Sequence, residues 1–306
     1  MSIKQDKGNV KMVKKIVLRV ILIIITLLVV IGGYFFLIDI ESNVPEELEK
    51  QVSVETNVFM GRKIFKISPQ NGVKSGKVIL YFHGGAYLGE ATNSHWAFLE
   101  KLIKDTNATV IMPDYPLTPK YTYKDVMKMA EAVYKDTIAE VKPENLIVMG
   151  DSAGGGLALG LEEKLSQNNI ELPSKTILIS PWLDTNLTNK KIEEVQKNDK
   201  DLNKEKLALA AFFYSRGLEK EDNYFVNPIN GNLSKLKNIT IYTGTYDILN
   251  PDCYVLKQKA KEQGTDIEIK EYATASHIWI INKNDELANK AYEDLLQTFT
   301  YQKPLE

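Results

Sequence analysis

Short runs of continuous apolar residues alternate along this chain with longer stretches of helical spacing, and that alternation defines the architecture. Val78–Phe82, residues 108–112, 146–149 and 239–242, Lys175–Ile179 and Ile267–Tyr272 are of strand length and rich in Val, Ile and Leu. Runs without a polar face read as strands buried on both sides, the signature of a parallel sheet. Between them, residues 94–104 (Trp96, Leu99, Ile103), 123–138 (Val126, Met129, Ala130, Val133), 155–165, 251–263 and 285–299 repeat apolar positions at helical spacing. The order predicts an α/β fold with helices on both faces of a mostly parallel sheet. Ahead of it, residues 52–67 alternate apolar and polar positions, as one or two outer strands would.

Two segments break the rhythm. Residues 187–237 hold one helical pattern, over 202–216, in otherwise irregular polar sequence, and predict a cap inserted between two strands. In that helix Leu207, Ala208, Ala211 and Phe212 are candidates to line a pocket beneath the cap. Together with the segment before Lys77, the cap is expected to roof the site.

The other break is residues 20–38, which contain 19 consecutive uncharged positions. At about 1.5 Å per helical residue such a run crosses most of a hydrocarbon core of about 30 Å. Lys4, Lys7, Lys11, Lys14, Lys15 and Arg19 precede it, while Asp39, Glu41, Glu46, Glu47 and Glu49 follow. The expected layout is a basic cytoplasmic tail over 1–15, a transmembrane signal anchor over 16–39, a linker over 40–52 and a catalytic domain over 53–306 outside the cytoplasm. A cleaved signal peptide is the competing reading, but Tyr34-Phe35-Phe36-Leu37-Ile38 offers no small-residue cleavage site.

The candidate chemistry lies at the ends of the buried strands, where ligands of such sheets bind. Gly150-Asp151-Ser152-Ala153-Gly154 follows the strand over 146–149 at the spacing G-x-S-x-G. Flanking glycines there let a strand reverse into a helix and present a serine hydroxyl at the sheet edge. Serine at its ordinary pKa is a weak nucleophile and needs an imidazole base held by a carboxylate. Of three histidines, His83 belongs to a glycine turn, His95 opens a helix away from any strand end, and His277 follows the last strand. His277 is therefore the candidate base. Asp247, at the end of the preceding strand, is the candidate acid, with Asp252 as its rival inside the next helix start.

His83-Gly84-Gly85-Ala86-Tyr87, Asp114-Tyr115-Pro116-Leu117-Thr118-Pro119, Gly150-Asp151-Ser152-Ala153-Gly154-Gly155, Ser180-Pro181-Trp182-Leu183-Asp184 and Asp247-Ile248-Leu249 occur in that order. Together they resemble the hormone-sensitive-lipase-like family of α/β-hydrolase esterases, over roughly residues 75 to 300; the anchored layout resembles arylacetamide deacetylases. The resemblance implies the α/β-hydrolase fold, a Ser152, Asp247 and His277 triad, and an oxyanion hole built from the N–H groups of Gly84, Gly85 and Ala153. His83, Gly150, Asp151 and Gly154 support the motifs. Three positions depart from the pattern: Ala86 replaces the third glycine, Pro116 stands in place of arginine, and Ile278 follows His277 where glycine is usual.

The implied activity is hydrolysis of short-chain carboxylic esters, with no cofactor. An amidase or deacetylase acting on envelope glycan or lipid is the alternative within enzymes, and a non-catalytic binding module the alternative outside them. A formal net charge of −2 gives no support to a nucleic-acid partner. Three dispersed histidines make no metal-ligand cluster, and no G-x-x-x-x-G-K-[ST] run occurs. The single cysteine, Cys253, excludes an internal disulfide.

Overall fold

In a computed structural model, the described residues are 14–24, 26, 27, 33, 40–70 and 75–300. The chain divides into two units, Met1–Asp39 and Ile40–Glu306. In the first, the described residues are helical and exposed. The expected span over 20–38 lies largely outside the described residues. Among those described, no helix is long and apolar enough to cross a membrane.

The second unit is built on an eight-stranded sheet in the order β1-β2-β4-β3-β5-β6-β7-β8. Val52–Phe59 (β1) and Arg62–Pro69 (β2) form an antiparallel hairpin, and β2 runs antiparallel to Thr109–Pro113 (β4). From β4 onward, Val78–Phe82 (β3), Leu146–Asp151 (β5), Lys175–Ile179 (β6), Ile239–Gly244 (β7) and Ile267–Tyr272 (β8) are parallel neighbours. The hairpin turns on Met60 and Gly61, both with positive φ (53° and 73°), the geometry of a two-residue turn whose twist matches the strands. Residues 52–69, part of the segment before Lys77 that is expected from sequence to help roof the site, extend the sheet instead, because β2 pairs edge to edge with β4.

Alternate strand residues serve two cores. Leu80, Phe82, Val148 and Leu178 face one, with helices Tyr123–Glu140 (α3) and Ser152–Gln167 (α4) packed over them. Ile79, Tyr81, Ile147, Met149 and Ile177 face the other, against Asn93–Thr106 (α2) and Glu286–Thr300 (α10). The short helix Glu46–Glu49 (α1) precedes β1; Ile192–Val195 (α5), Lys204–Tyr214 (α6) and Asn223–Val226 (α7) lie within residues 187–237; Asn250–Glu262 (α8) and Trp279–Asn282 (α9) follow β7 and β8.

Residues 40–52, read from sequence as a linker, are bound into this unit. The Ser42 N–H donates to Asp114 Oδ1 (3.1 Å), and Ser42 Oγ accepts from the Ala91 N–H (3.1 Å). Leu48 is buried. The other Asp114 oxygen pairs with Arg62 (Nη2 to Oδ2, 2.7 Å), whose Nε–H also donates to the Asp114 carbonyl at 2.9 Å. Both side chains are fully buried, so removing either partner strands a charge where water cannot reach it. Arg62→Met is expected to destabilise the folded state by about 3–5 kcal/mol, read as a lowered urea midpoint at unchanged slope. An unchanged midpoint would show that Asp114 is held without the arginine.

Candidate active site

β5 passes directly into α4 at Ser152, and the backbone must reverse with no room for side chains. A Cβ on Gly154 would sit inside contact distance of the Phe82 and His83 carbonyl oxygens, and one on Gly150 would overlap the Gly154 carbonyl. Ser152 itself has φ 51°, a left-handed conformation that non-glycine residues adopt at a cost of about 1–3 kcal/mol and that clusters at active sites. Its carbonyl is tied down by the Trp182 N–H (2.8 Å).

Ser152 Oγ lies 2.9 Å from His277 Nε2, and His277 Nδ1 lies 2.9 Å from Asp247 Oδ2. With the carboxylate accepting from Nδ1–H, Nε2 is left to accept the serine proton. Asp247 is fully buried, and its Oδ1 accepts from the Leu249 N–H (2.9 Å). Burial opposes an imidazolium at His277, but the charge and hydrogen bond of Asp247, aided by Asp151 and Asp199, outweigh it and raise the His277 pKa above 6.5. Asp252 accepts from Asn189 Nδ2 at 2.8 Å on α8, and burial raises its carboxyl to about 6.

Two further residues brace this pair, Asp199 outside the sequence motifs and Ser180 at the head of one of them. Asp199, in the cap, accepts the Ile248 N–H with Oδ2 and the Asp201 and Leu202 N–H groups with Oδ1, each at 2.9 Å. The acid loop is thereby clamped to the cap. Ser180 Oγ accepts from the Ile278 N–H (3.2 Å). Ile278 has φ 43°, so the position where the resembled family carries glycine keeps a left-handed backbone despite its branched side chain.

The turn after β3 forms the facing wall. Gly85 has φ 118°, Ala86 55° and Tyr87 59°, and the Gly85 carbonyl accepts from the N–H groups of Leu88 (2.9 Å) and Gly89 (2.8 Å). Gly84, expected to present its amide to an oxyanion, donates it instead to Asp151 Oδ1 (3.0 Å). The reason is the buried Asp151 carboxylate one residue before the nucleophile, which must be satisfied by protein donors. Among the described residues, no hydrogen bond is found for the N–H groups of Gly85, Ala86 and Ala153, which makes them candidate donors of this corner. Asp151 Oδ1 also accepts from Tyr81 Oη–H (2.5 Å), and Oδ2 lies 3.2 Å from His95 Nε2. Burial opposes the Asp151 charge, yet His95 and Tyr81 outweigh it and hold the carboxyl below its usual value.

His83 is no base. Burial, with His95 nearby, lowers its pKa to about 4; its neutral Nδ1–H donates to the Gly84 carbonyl (2.6 Å), and its ring stacks on Tyr115 at 4.4 Å. Tyr115 Oη–H donates to the His83 carbonyl (2.6 Å).

The cap reaches this corner through α6. Tyr214 stacks on Tyr87 with ring centroids 3.6 Å apart, and Tyr87 Oη–H donates to the Ala153 carbonyl (2.8 Å). Leu207, Ala210, Ala211 and Tyr214 form the buried face of α6. Ala208 and Phe212, candidates for the pocket lining, face solvent instead, Phe212 being 69% exposed. One turn offers 3.6 residues per revolution, so the stripe that includes Tyr214 excludes them. Among the described residues, no cluster of three metal-ligating side chains occurs.

Known proteins resemble this chain in sequence and in fold. The chain is 32% identical over 197 residues to an esterase of Acinetobacter venetianus, an alignment covering 64% of this chain and 65% of the relative. It is 27% identical to an acetyl-hydrolase of Streptomyces hygroscopicus, over 67% of this chain and 69% of the relative. The chain thus spans about two thirds of the length of these curated relatives. The crystal structure of a putative esterase from Staphylococcus aureus superposes with a TM-score of 0.79 at 27% identity, covering 86% of this chain and 88% of that one. A family model described as alpha/beta hydrolase fold matches residues 79–281, the span that holds the serine elbow, the glycine turn, the cap and the histidine loop, and the chain belongs to that family.

Proposed function

We propose that this protein is a membrane-tethered serine esterase that hydrolyses short-chain carboxylic esters through an acyl-enzyme. The observation that carries the reading is the unbroken hydrogen-bonded run from Asp247 through His277 to Ser152, beside free backbone amides. Ser152 Oγ attacks the ester carbonyl while His277 Nε2 takes its proton, and Asp247 holds the imidazole in the tautomer that can do so. The oxyanion is received by the N–H groups of Gly85, Ala86 and Ala153. Each such donor is worth about 2.7–4 kcal/mol in hydrolases where one has been removed. His277 then returns the proton to the departing alcohol, and water releases the acid by the same steps in reverse roles. The names of the two relatives, esterase and acetyl-hydrolase, support an ester substrate with a small acyl group.

Ser152→Ala and His277→Ala should each remove nearly all activity, by about a million-fold, and the pair together little more, since the residues act as a unit. Asp247→Asn should be severe and Asp252→Asn mild; the opposite order would reassign the acid. Because His277 must be neutral to accept a proton and its pKa is raised, kcat/KM should fall on the acid side with an apparent pKa above 6.5. A limb below that value would show that burial, not Asp247, dominates the imidazole.

The cap over 187–237, closed on the site by the Tyr87 and Tyr214 stack, supports a short acyl pocket. One methylene more or less in an apolar pocket changes transition-state binding by about 1–3 kcal/mol. Chromogenic esters of graded length should therefore peak at about two to six acyl carbons, with no rise in rate when substrate forms an emulsion. Faster turnover of emulsified long-chain triglycerides would reject the short pocket.

The tether rests on the uncharged run over 20–38 and the basic residues before it, which by the positive-inside rule leave the N-terminus in the cytoplasm and the catalytic unit outside. Protease added to intact cells should digest the C-terminal unit and spare a tag at Met1. Protection of the catalytic unit would overturn this orientation.

A further inference from the structure

Of the two buried imidazoles that the reaction does not use, His83 and His95, the second faces the carboxylate next to Ser152. His95 sits in the first turn of α2 with its side chain 3% exposed. Its Nδ1 accepts from the Thr92 N–H at 2.9 Å, so the ring proton is on Nε2. That proton faces Asp151 Oδ2, 3.2 Å away.

Asp151 joins four parts of the site. It immediately precedes Ser152, its Oδ1 accepts from Tyr81 of β3 and from the Gly84 amide, and Oδ2 takes only the His95 proton among the described residues. The carboxylate also lies against Gly84, where an added Cβ would strike Oδ2 and approach Ser152 Cβ to 3.1 Å. The Gly84 peptide in turn determines how Gly85 and Ala86 present their free N–H groups. A carboxylate gripped on one oxygen only can rotate about its Cβ–Cγ bond and exchange acceptors. Gripped on both, it holds the Gly84 amide in one direction.

We propose that His95 is a positioning residue of the esterase reaction: by fixing the Asp151 carboxylate through Nε2–H, it orients the Gly84 peptide and thereby the oxyanion donors of the following residues. The inference rests on the serine-esterase reading. A bland role is also at hand, since the same ring caps α2 through Thr92, and the two roles use different nitrogens.

That difference supplies the test. His95→Asn places an acceptor near Nδ1, retaining the contact to Thr92, and is too short to reach Asp151. His95→Gln carries an N–H to the position of Nε2, retaining the donor to Asp151 while giving up the cap. Steady-state hydrolysis of a short chromogenic ester by the full chain should show kcat of His95→Asn reduced by about tenfold to a hundredfold, less than the 10²–10³ of outright donor loss, with KM within about twofold. His95→Gln should recover most of kcat. The reverse order, or equal kcat in all three proteins, would overturn the inference in favour of helix capping. Should His95→Asn fail to give a cooperative melt, Asp151→Asn, which keeps the volume and turns one acceptor into a donor, must lower kcat in the same way; an unchanged kcat overturns the inference. Absence of turnover by the wild-type chain would sink the esterase reading itself, and is distinct from any ordering of the variants.

Discussion

The structure depends on one close approach. At Gly154 the first turn of α4 rests against the carbonyl oxygens of Phe82 and His83, so the end of β3 and the start of α4 share a single backbone joint. Every feature of the site is arranged around that joint. It holds Ser152 in a left-handed conformation that the residue would not adopt alone. It brings the glycine turn within reach of Asp151. A methyl group at Gly154 would force the end of β3 away from the start of α4 and separate Ser152 from the glycine turn.

Charge is distributed around this joint with equal care for protonation state. Two buried carboxylates, Asp247 and Asp151, each meet an imidazole, yet with opposite consequences. His277 has a carboxylate on one nitrogen and the serine on the other, so its basicity is raised and directed at the hydroxyl. His95 has a backbone donor on one nitrogen and Asp151 on the other, so its only available proton is already given away. His83, lacking any acid partner and pushed down by burial, stays a neutral donor to a carbonyl. Three histidines in one site thus have three fates, decided by what faces each ring nitrogen.

The cap is tied to the same machinery from two directions. Tyr214 stacks on Tyr87, which holds the Ala153 carbonyl, and Asp199 gathers the backbone of the acid loop. The positions of the 187–237 segment and of Asp247 are therefore mechanically linked, since a shift of that segment moves a partner of the Asp247 loop.

The order of strands and helices, the mostly parallel sheet and the candidate residues Ser152, Asp247 and His277, which the structure brings together, could be named from the chain alone. Their signals are local or ordinal: continuous apolar runs, helical spacing, glycines beside a serine, and acid before histidine. The alternation over 52–67 announced one or two outer strands, but not that they pair as a hairpin. What the tertiary structure decided is who meets whom across long separations. Gly84 reaches Asp151 over 67 residues, His95 reaches it over 56, and Arg62 finds Asp114 over 52. The rotation of α6, which buries Tyr214 and exposes Phe212, belongs to the same class, as does the docking of Ser42 on the sheet. No local pattern specifies which buried carboxylate an amide or imidazole will face, because that choice is made by competition among all donors the fold brings together, and an unsatisfied buried charge is penalised only once water has been excluded.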